Sequence, residues 1–409
     1  MKVLQINVLA NNRSTGRTTF ELHNFLVDKN HQSFVACALK EGSNYDGCFR
    51  VCNRFEYYLS NVLSRIFGDE GFHSVIPTLR LIKKIKRIKP DIIHLRNLHS
   101  DYINLPLLLK YIAKQDIATV ITTHDFWFFC GICTNASCEK YKTGCYKCPH
   151  FKRSKRNLFF DRSKYCFKKK KKLFLSIPRL AIQANSYFSE SVVSESFLKN
   201  NYITTIYNWI DLSVFYHEDV DNSVFGISNS KKTFLIVFGS FNKNSPYLID
   251  FFKFSQMMGD GFNYVVVGKI DFDKNEYPGL AFMGSTNDVN LLRKYYSAAS
   301  ILINPSKEDT FGKTVSESLA CGTPCIVYKG RTALPELIKN LYCGSSAPMD
   351  SINDICLEAN RLLSLNQETI RKRCREVAET FFNKETNCNK IIEVYNYIYE
   401  RKDSAVNKE

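Results

Sequence analysis

The chain has 409 residues, 44% of them hydrophobic, and its 56 Lys and Arg against 40 Asp and Glu give a formal net charge of +16. This length and composition predict a globular protein of two domains of about 200 residues each and exclude a disordered chain. No apolar run reaches the roughly 18 residues of a membrane span, so a transmembrane helix is not expected, while the positive charge leaves nucleic acid and an anionic membrane surface as partners to consider.

Short apolar runs alternate with helical patterns along the first half of the chain, which is typical of a parallel sheet with helices on both faces. Strands are predicted over residues 3–8, 33–38, 92–95, 119–122 and 179–184, and helices over 18–29 and 105–114. The opening strand pattern is too short for a signal peptide, so we expect a cytosolic protein with reduced cysteines.

A turn, Ser14-Thr15-Gly16-Arg17, separates the first predicted strand from the first predicted helix. A glycine at this place lets backbone amides approach a phosphate, and Arg17 adds positive charge, although one glycine in such a turn is more often only a turn. Neither G-x-G-x-x-G nor G-x-x-x-x-G-K-[ST] occurs in the sequence, which argues against a dinucleotide oxidoreductase and an NTPase.

His124 and Asp125 directly follow another predicted strand. Residues at the carboxyl ends of strands face the ligand crevice in open α/β sheets, and a neutral histidine can donate or accept a hydrogen bond. A lone histidine is usually structural, but the His-Asp pair at this location favours a site. His94 and His99, around the end of the preceding strand, are expected to point into the same crevice.

Four cysteines follow closely, with the spacing C-x4-C-x6-C-x2-C. Four cysteines so near each other in a reduced chain predict a tetrahedral structural zinc site, while disulfides and free, packed thiols stay open as alternatives. We expect this segment to stiffen a loop rather than to act in catalysis. The four residues are Cys133, Cys138, Cys145 and Cys148.

Two basic runs stand out, at residues 83–89 and 168–172. The first predicts a helix with its lysines in solvent and with Leu79 and Ile85 on the opposite, apolar side. The second is less helical in pattern and is flanked by Phe and Tyr, which favours contact with a membrane surface.

A second alternating set of strands and helices begins near residue 233, after a polar stretch that predicts an interdomain linker. Strands are predicted over residues 234–238, 264–267, 281–283, 300–303 and 325–327, and a late helix over 390–401. We therefore expect a first domain over 1–210, with a Cys-rich insertion at about 130–150 and a basic segment at 162–172. A linker over 211–232, a second domain over 233–385 and a terminal helix with tail over 386–409 complete the organisation.

The most informative stretch runs from Asn304 to Pro324. Asp309 and Glu317 lie eight positions apart, with a Phe-Gly turn between them and a helix beginning after it. The amides at such a helix start can bind a diphosphate, and the two carboxylates can accept hydrogen bonds from a sugar and a ribose. Glu317 also fits a capping box with Thr314 as N-cap, a purely structural alternative.

This stretch resembles the donor-site signature of the family-4 retaining glycosyltransferases, acid-x-Phe-Gly-x4-Glu followed by an Ala-x-Gly-x-Pro turn. The Cys-rich segment after His124 resembles the corresponding segment of the subgroup that makes colanic-acid-like and capsular polysaccharides. The resemblance covers nearly the whole chain. It implies the GT-B fold, with two Rossmann-like α/β domains facing a central cleft and a C-terminal helix that crosses back to the first domain.

The resemblance implies transfer of a hexose, with retention, from a nucleotide-diphosphate sugar to a lipid-linked saccharide at the inner membrane surface. It implies catalytic roles for His124, beside the anomeric carbon, and for Asp309 or Glu308, on the sugar hydroxyls. No cofactor is expected for catalysis, and nucleic acid is not expected as a partner. The implied donor-binding residues are Gly16, Arg17, Lys243, Lys313, Thr314, Val315 and Glu317.

Two positions depart from the family pattern. Trp209 stands where the crossover between domains usually has glycine, and Ser240 stands where a phosphate-binding loop usually has arginine, which leaves Lys243 as the nearby cation. A nucleotide-sugar epimerase of the same fold and, from charge alone, a basic nucleic-acid-binding protein remain as alternative functions.

Overall fold

The structure is a computed structural model, and it describes residues 1–11, 13–38, 45–135, 137–149 and 158–406. The chain forms two compact units. The first contains Met1–Ile206 together with the chain from Glu385 onward, and the second contains Tyr207–Lys384.

The described part of the first unit contains a sheet of seven parallel strands in the order β3-β2-β1-β4-β5-β6-β7. The strands are β1 (Lys2–Asn7), β2 (Gln32–Cys37), β3 (Cys48–Arg50), β4 (Ile92–Leu95), β5 (Ala118–Thr123), β6 (Leu180–Ala184) and β7 (Tyr202–Thr205). The helices are α1 (Arg13–Asp28), α2 (Arg54–Phe67), α3 (Val75–Ile88), α4 (Leu105–Lys114), α5 (Ser163–Phe174) and α6 (Tyr187–Ser194).

The second unit, over its own residues, contains six parallel strands in the order β10-β9-β8-β11-β12-β13. The strands are β8 (Lys232–Phe241), β9 (Phe262–Ile270), β10 (Leu280–Gly284), β11 (Ile301–Asn304), β12 (Cys325–Lys329) and β13 (Gly344–Pro348). The helices are α7 (Pro246–Met258), α8 (Val289–Ala298), α9 (Lys313–Ala320), α10 (Leu334–Leu337), α11 (Ile352–Ser364) and α12 (Gln367–Phe381), with short 3-10 turns at Asn222–Phe225 and Lys274–Glu276.

Each sheet reverses its strand order at one point. In the first unit β1 lies beside β4, and in the second β8 lies beside β11. The central strands are apolar runs buried on both faces, as parallel sheets require, and all four residues of Ile92–Leu95 are buried. Because ligands of such sheets bind outside the carboxyl ends of the strands at the reversal, these two points mark the candidate site in each unit.

The last helix, α13 (Lys384–Val406), packs within the first unit. Tyr395 is fully buried, and its hydroxyl lies 2.6 Å from Nδ1 of His94. Arg179 donates to the carbonyl of Tyr399 at 3.0 Å. The chain therefore returns to its first unit at the end, as the sequence resemblance implied.

The predicted linker over 211–232 lies inside the second unit. Phe215 and Phe225 are buried in its hydrophobic core. The polar side chain of Asn222 donates to the carbonyls of Ser228 and Lys231, and accepts from Thr233. The polar residues that were interpreted as a linker instead form hydrogen bonds that stabilise the start of the second unit.

The basic segment at 162–172 is a regular helix, contrary to the prediction of a less helical pattern. Lys170, on α5, is completely buried and donates to the carbonyls of Trp127 at 2.7 Å and Cys130 at 3.1 Å. Its ammonium also lies over the Trp127 ring, and burial lowers the pKa of the amine. The five lysines of the run therefore do not form one charged face.

The prediction that Leu79 lies on the buried, apolar side of α3 is wrong. The buried positions include Leu81 and Ile85, but Leu79 is 51% exposed. Among the described residues, no helix combines the length and the apolar character needed to cross a membrane.

Candidate active site

The Phe-Gly turn of the second unit connects the end of β11 to the start of α9. Gly312 is the N-cap of α9 and has φ 92°, in the left-handed region, where only glycine is unstrained. One oxygen of Asp309 accepts hydrogen bonds from the amides of Phe311 and Gly312, both at 3.0 Å. Burial raises the pKa of the Asp309 carboxyl, and these amide contacts partly offset the rise. Asp309 thus holds the turn, while Glu308 beside it is exposed.

The capping box predicted for α9 is wrong. The helix begins at Lys313, two residues earlier than that interpretation requires, and the Thr314 hydroxyl accepts a hydrogen bond from the side-chain amide of Asn304 at 3.0 Å instead of capping the helix. Glu317 is only 5% exposed, and its Oε2 accepts from the hydroxyl of Tyr296 at 3.0 Å. Because Tyr296 is fully buried, it fixes the Glu317 carboxylate in one orientation.

The backbone hydrogen bonds in the first turn of α9 determine which amides are available to bind an anion. The amide of Val315 already donates to the carbonyl of Gly312 at 3.1 Å. The preceding amides, of Lys313 and Thr314, begin the helix and cannot bond within it. These two N–H groups, with the Lys313 side chain, are therefore the best anion donors of the turn.

The loop after β8 leaves the same edge of the sheet, because β8 and β11 are parallel neighbours. β8 runs on to Phe241 with a register irregularity between Val237 and Ser240, so Ser240 lies in the strand and not in a loop. Lys243 is exposed beyond the strand end, and its carbonyl accepts from Tyr277 at 2.6 Å. Lys243 and Lys313 thus supply cations at one edge of the second sheet.

In the first unit, His124 follows the carboxyl end of β5 and contacts a buried arginine that the sequence analysis missed. Arg96 follows the adjacent strand β4, is 1% exposed, and places Nη2 3.1 Å from His124 Nε2 and 3.2 Å from Thr18 Oγ1. A guanidinium only donates, so His124 Nε2 is the acceptor and its proton is on Nδ1. The sequence signal that could have identified Arg96 was a basic residue directly after the apolar Ile-Ile-His-Leu strand.

Gly16 lies in the first turn of α1, which begins at Arg13, and not in a turn before the helix. A Cβ on Gly16 would approach Leu9 to 3.0 Å, so glycine allows the loop after β1 to pack against the helix. The carbonyl of Gly16 accepts from the amide of Asn11 at 3.0 Å. Arg17 follows on the same helix and is half-buried.

Of the other two histidines, His94 is buried and does not face a crevice as predicted, while the crevice position of His99 stays a prediction. His94 is completely buried between Tyr395 and Thr122, and burial holds its pKa well below the usual value. His99 pairs through Nε2 with Asp125 at 3.0 Å. Asp125 also accepts from the amide of Trp127, so it orients its own loop.

Two family models match the chain. The model described as glycosyl transferases group 1 matches residues 221–381, and the model described as Glycosyltransferase Family 4 matches residues 15–214. The chain belongs to the family-4 glycosyltransferases. The matched ranges contain every residue singled out above in the α9 turn, at the end of β5 and in the first turns of α1.

Curated relatives of this glycosyltransferase include an uncharacterized 41.2 kDa protein in the cps region of Klebsiella pneumoniae, 23% identical over 78% of this chain and 82% of that protein. The putative colanic acid biosynthesis glycosyl transferase WcaC of Escherichia coli K12 is 26% identical over 36% of this chain and 40% of its own length.

Solved structures share the fold. Sucrose-phosphate synthase from Thermosynechococcus elongatus aligns with a TM-score of 0.68 at 14% identity, over 98% of this chain and 99% of that one. Anabaena HepE in complex with UDP aligns with a TM-score of 0.66 at 13% identity, over 97% and 100%. The glycosyltransferase thus has the GT-B fold, with two parallel-sheet Rossmann-like domains.

Trp209, where the family usually has glycine, is accommodated without backbone strain. Among the described residues with positive φ, Trp209 does not appear, and its side chain is completely buried in the second unit. The next residue, Ile210, donates to the carbonyl of Phe382 at 2.9 Å. The tryptophan is therefore accommodated as a buried side chain on an unstrained backbone.

The Cys-rich segment of the glycosyltransferase brings a fifth thiol into the cluster. Cys130, Cys138 and Cys148 lie within hydrogen-bonding reach of the Cys133 thiol and raise its pKa. The Cys145 sulfur instead accepts from the amide of Gly131 at 3.2 Å. Within the residues that the structure describes, no three His, Cys, Asp or Glu side chains are arranged to hold a metal ion. The zinc site stays a prediction.

Elemental analysis of the purified protein tests that prediction. A structural zinc site requires about one zinc per chain, lost in Cys133→Ser and Cys148→Ser because tetrahedral zinc needs four ligands. Cys356→Ser, in α11 of the second unit, is the matched control and should keep the metal. Metal-free protein with titratable thiols would contradict the zinc site and leave the cluster as packed cysteines.

Proposed function

We propose that this glycosyltransferase transfers a hexose, with retention of configuration, from a nucleotide-diphosphate sugar to a lipid-linked saccharide in surface polysaccharide biosynthesis. The observation that carries the proposal is the α9 turn at the strand reversal of the second sheet, which contains two helix-start amides, Lys313, Asp309 and, farther along the helix, Glu317. The names of the Klebsiella and Escherichia relatives support the polysaccharide setting, and HepE complexes with UDP and UDP-glucose support the donor class.

The donor diphosphate would bind the amides of Lys313 and Thr314 and the ammonium groups of Lys313 and Lys243. Amides and cations placed in this way stabilise the negative charge that grows on the leaving diphosphate, so this fold needs no metal for the step. Glu317, held by Tyr296, would accept from the ribose hydroxyls.

Asp309 or Glu308 would accept from the sugar hydroxyls. His124 would stand beside the anomeric carbon with Nδ1–H as its donor, because Arg96 occupies Nε2. Attack by the acceptor hydroxyl on the face that the diphosphate leaves, with that diphosphate assisting, would retain the anomeric configuration. Gly16 and Arg17, in the first unit, would also contact the donor.

The lipid-linked acceptor places the proposed reaction at the inner face of the cell membrane, with the protein bound peripherally. The net charge of +16 favours an anionic lipid surface. We propose no nucleic-acid partner, because the basic residues belong to no recognised nucleic-acid-binding module.

A thermal-shift panel of nucleoside diphosphates and sugar nucleotides tests the donor site. A donor at 100 times its Kd should add about 2.7 kcal/mol to stability. Asp309→Ala and Glu317→Ala should remove that stabilisation, because the first releases the turn and the second removes the ribose acceptor. Glu276→Ala, an exposed acid of the same unit, should keep it.

Product analysis with the stabilising donor then separates the reaction classes. Release of nucleoside diphosphate with an extracted lipid acceptor supports transfer, and recovery of an epimerised sugar nucleotide would identify an epimerase instead. Absence of stabilisation by every nucleotide tried would contradict the proposed donor site.

A further inference from the structure

The first unit exposes an unusual number of large apolar side chains on α2 and α3. Phe55, Tyr58 and Leu59 on α2 are 72%, 69% and 46% exposed, and Ile76 and Leu79 on α3 are 63% and 51% exposed. Single exposed hydrophobic residues are normal, but a contiguous group marks an interaction surface.

Helix α2 is amphipathic in the inverted sense. Its buried residues are Ser60 and Ser64, whose hydroxyls bond to Ser74 and Asp101, while Phe55, Tyr58 and Leu59 are exposed. A surface helix of a water-soluble protein normally has the opposite arrangement. The core of the first unit therefore does not explain the exposed apolar residues of α2.

The exposed apolar residues of the two helices belong to one surface. Glu56 on α2 pairs with Arg80 on α3, and Ser60 and Ser74 bond at 2.8 Å, so the helices lie side by side. The amide of Leu158 donates to the carbonyl of Arg65 at the end of α2, at 2.8 Å. This contact brings an exposed Leu-Phe-Phe segment, residues 158–160, to the same helix end.

The two helices are strongly basic. Helices α2 and α3 carry seven basic residues and one acid, Glu56, which is already paired with Arg80. Aromatic and aliphatic side chains flanked by bases are what a helix lying in an anionic lipid interface requires, because the apolar groups enter the headgroup region while the bases meet phosphates.

We propose that the exposed face of α2 and α3, with residues 158–160, seats the first unit on an anionic lipid bilayer. This inference rests on the proposed function, whose acceptor is lipid-linked. It moves the membrane contact away from the lysine run of α5, where Lys170 is buried beneath Trp127. A second copy of the chain on the same face is the competing occupant.

Co-sedimentation of the full chain with vesicles tests the surface. The wild type should bind vesicles of phosphatidylglycerol mixed with phosphatidylcholine, bind pure phosphatidylcholine weakly, and lose binding at high salt as charges are screened. Phe55→Ser with Ile76→Ser should lower the partition coefficient by about tenfold or more. The matched control, Leu341→Ser with Leu357→Ser, changes two residues equally exposed on the second unit and should change binding less than about twofold.

Three outcomes would overturn the proposed surface: equal loss in both double variants, loss confined to Lys168→Glu with Lys169→Glu on α5, or a wild-type dimer that Phe55→Ser with Ile76→Ser dissociates. The nucleotide panel is run on every variant. Retained nucleotide stabilisation with lost vesicle binding supports the surface. If nucleotides stabilise the wild type but it does not bind vesicles, the proposed surface is contradicted and the proposed function is not. If the wild type binds vesicles but no nucleotide stabilises it, the proposed donor site is contradicted and the surface is not.

Discussion

Replacing Gly312 by alanine is expected to destabilise the second unit by about 3 kcal/mol and to abolish stabilisation by nucleotides. At φ 92° an L-residue costs about 1–2 kcal/mol, and the new Cβ would overlap the buried side chain of Leu334, which costs about 1–3 kcal/mol more. Any backbone shift that relieves the overlap also moves the amides of Lys313 and Thr314. Urea unfolding followed by circular dichroism, with the nucleotide panel, measures both effects.

Gly279→Ala separates the two causes. Gly279 also has a positive φ, 86°, but a Cβ there would meet nothing within 4 Å. Its variant should therefore cost only the backbone strain, about 1–2 kcal/mol, and keep nucleotide stabilisation. Equal destabilisation by the two substitutions would show that the overlap with Leu334 is relieved at no cost.

His124→Ala is expected to lower kcat by about a hundred- to a thousandfold, the usual loss when one preorganised donor at a developing charge is removed. The donor KM should change little, because the proposed contacts to the diphosphate and the ribose involve residues of the second unit. Initial rates of nucleoside diphosphate release at several donor concentrations separate kcat from KM.

His99→Ala is the neighbouring control. Its imidazole is held by Asp125, and Asp125 also bonds the amide of Trp127, so the loop keeps one anchor. We expect a loss in kcat of less than about threefold. A large rise in donor KM for His124→Ala, with kcat unchanged, would assign His124 to donor binding and contradict its place at the reaction centre.

The central strands were predicted well because strands that are buried on both faces appear in the sequence as short continuous apolar runs. β4, Ile92–Leu95, was predicted to the residue. The three strands that were missed lack that pattern: β3 has only three residues, none of them buried, β7 is half-buried throughout, and β13 has the sequence Gly-Ser-Ser-Ala-Pro. All three lie at sheet edges, where pairing with one neighbour replaces apolar burial.

The positions of the candidate site followed from the sequence, but their local contacts did not. The capping box failed because the left-handed Gly312 is the N-cap and α9 starts two residues earlier. The burial of Lys170 was not predicted because the two carbonyls and the indole that contact its ammonium are distant in sequence. Arg96 escaped notice because its partners, Thr18 and His124, are distant in sequence.

The return of α13 to the first unit delays that unit during synthesis. His94 and Tyr395 are 301 residues apart in the chain. At the usual 5–20 residues per second, about 15–60 s separate the emergence of the two ends of this contact from the ribosome. The nascent first unit must wait for that time with the docking groove of its last helix open, while the second unit is contiguous and can fold ahead of it. At the end of synthesis, release factors and chaperones would therefore encounter a chain whose second unit has folded before its first unit.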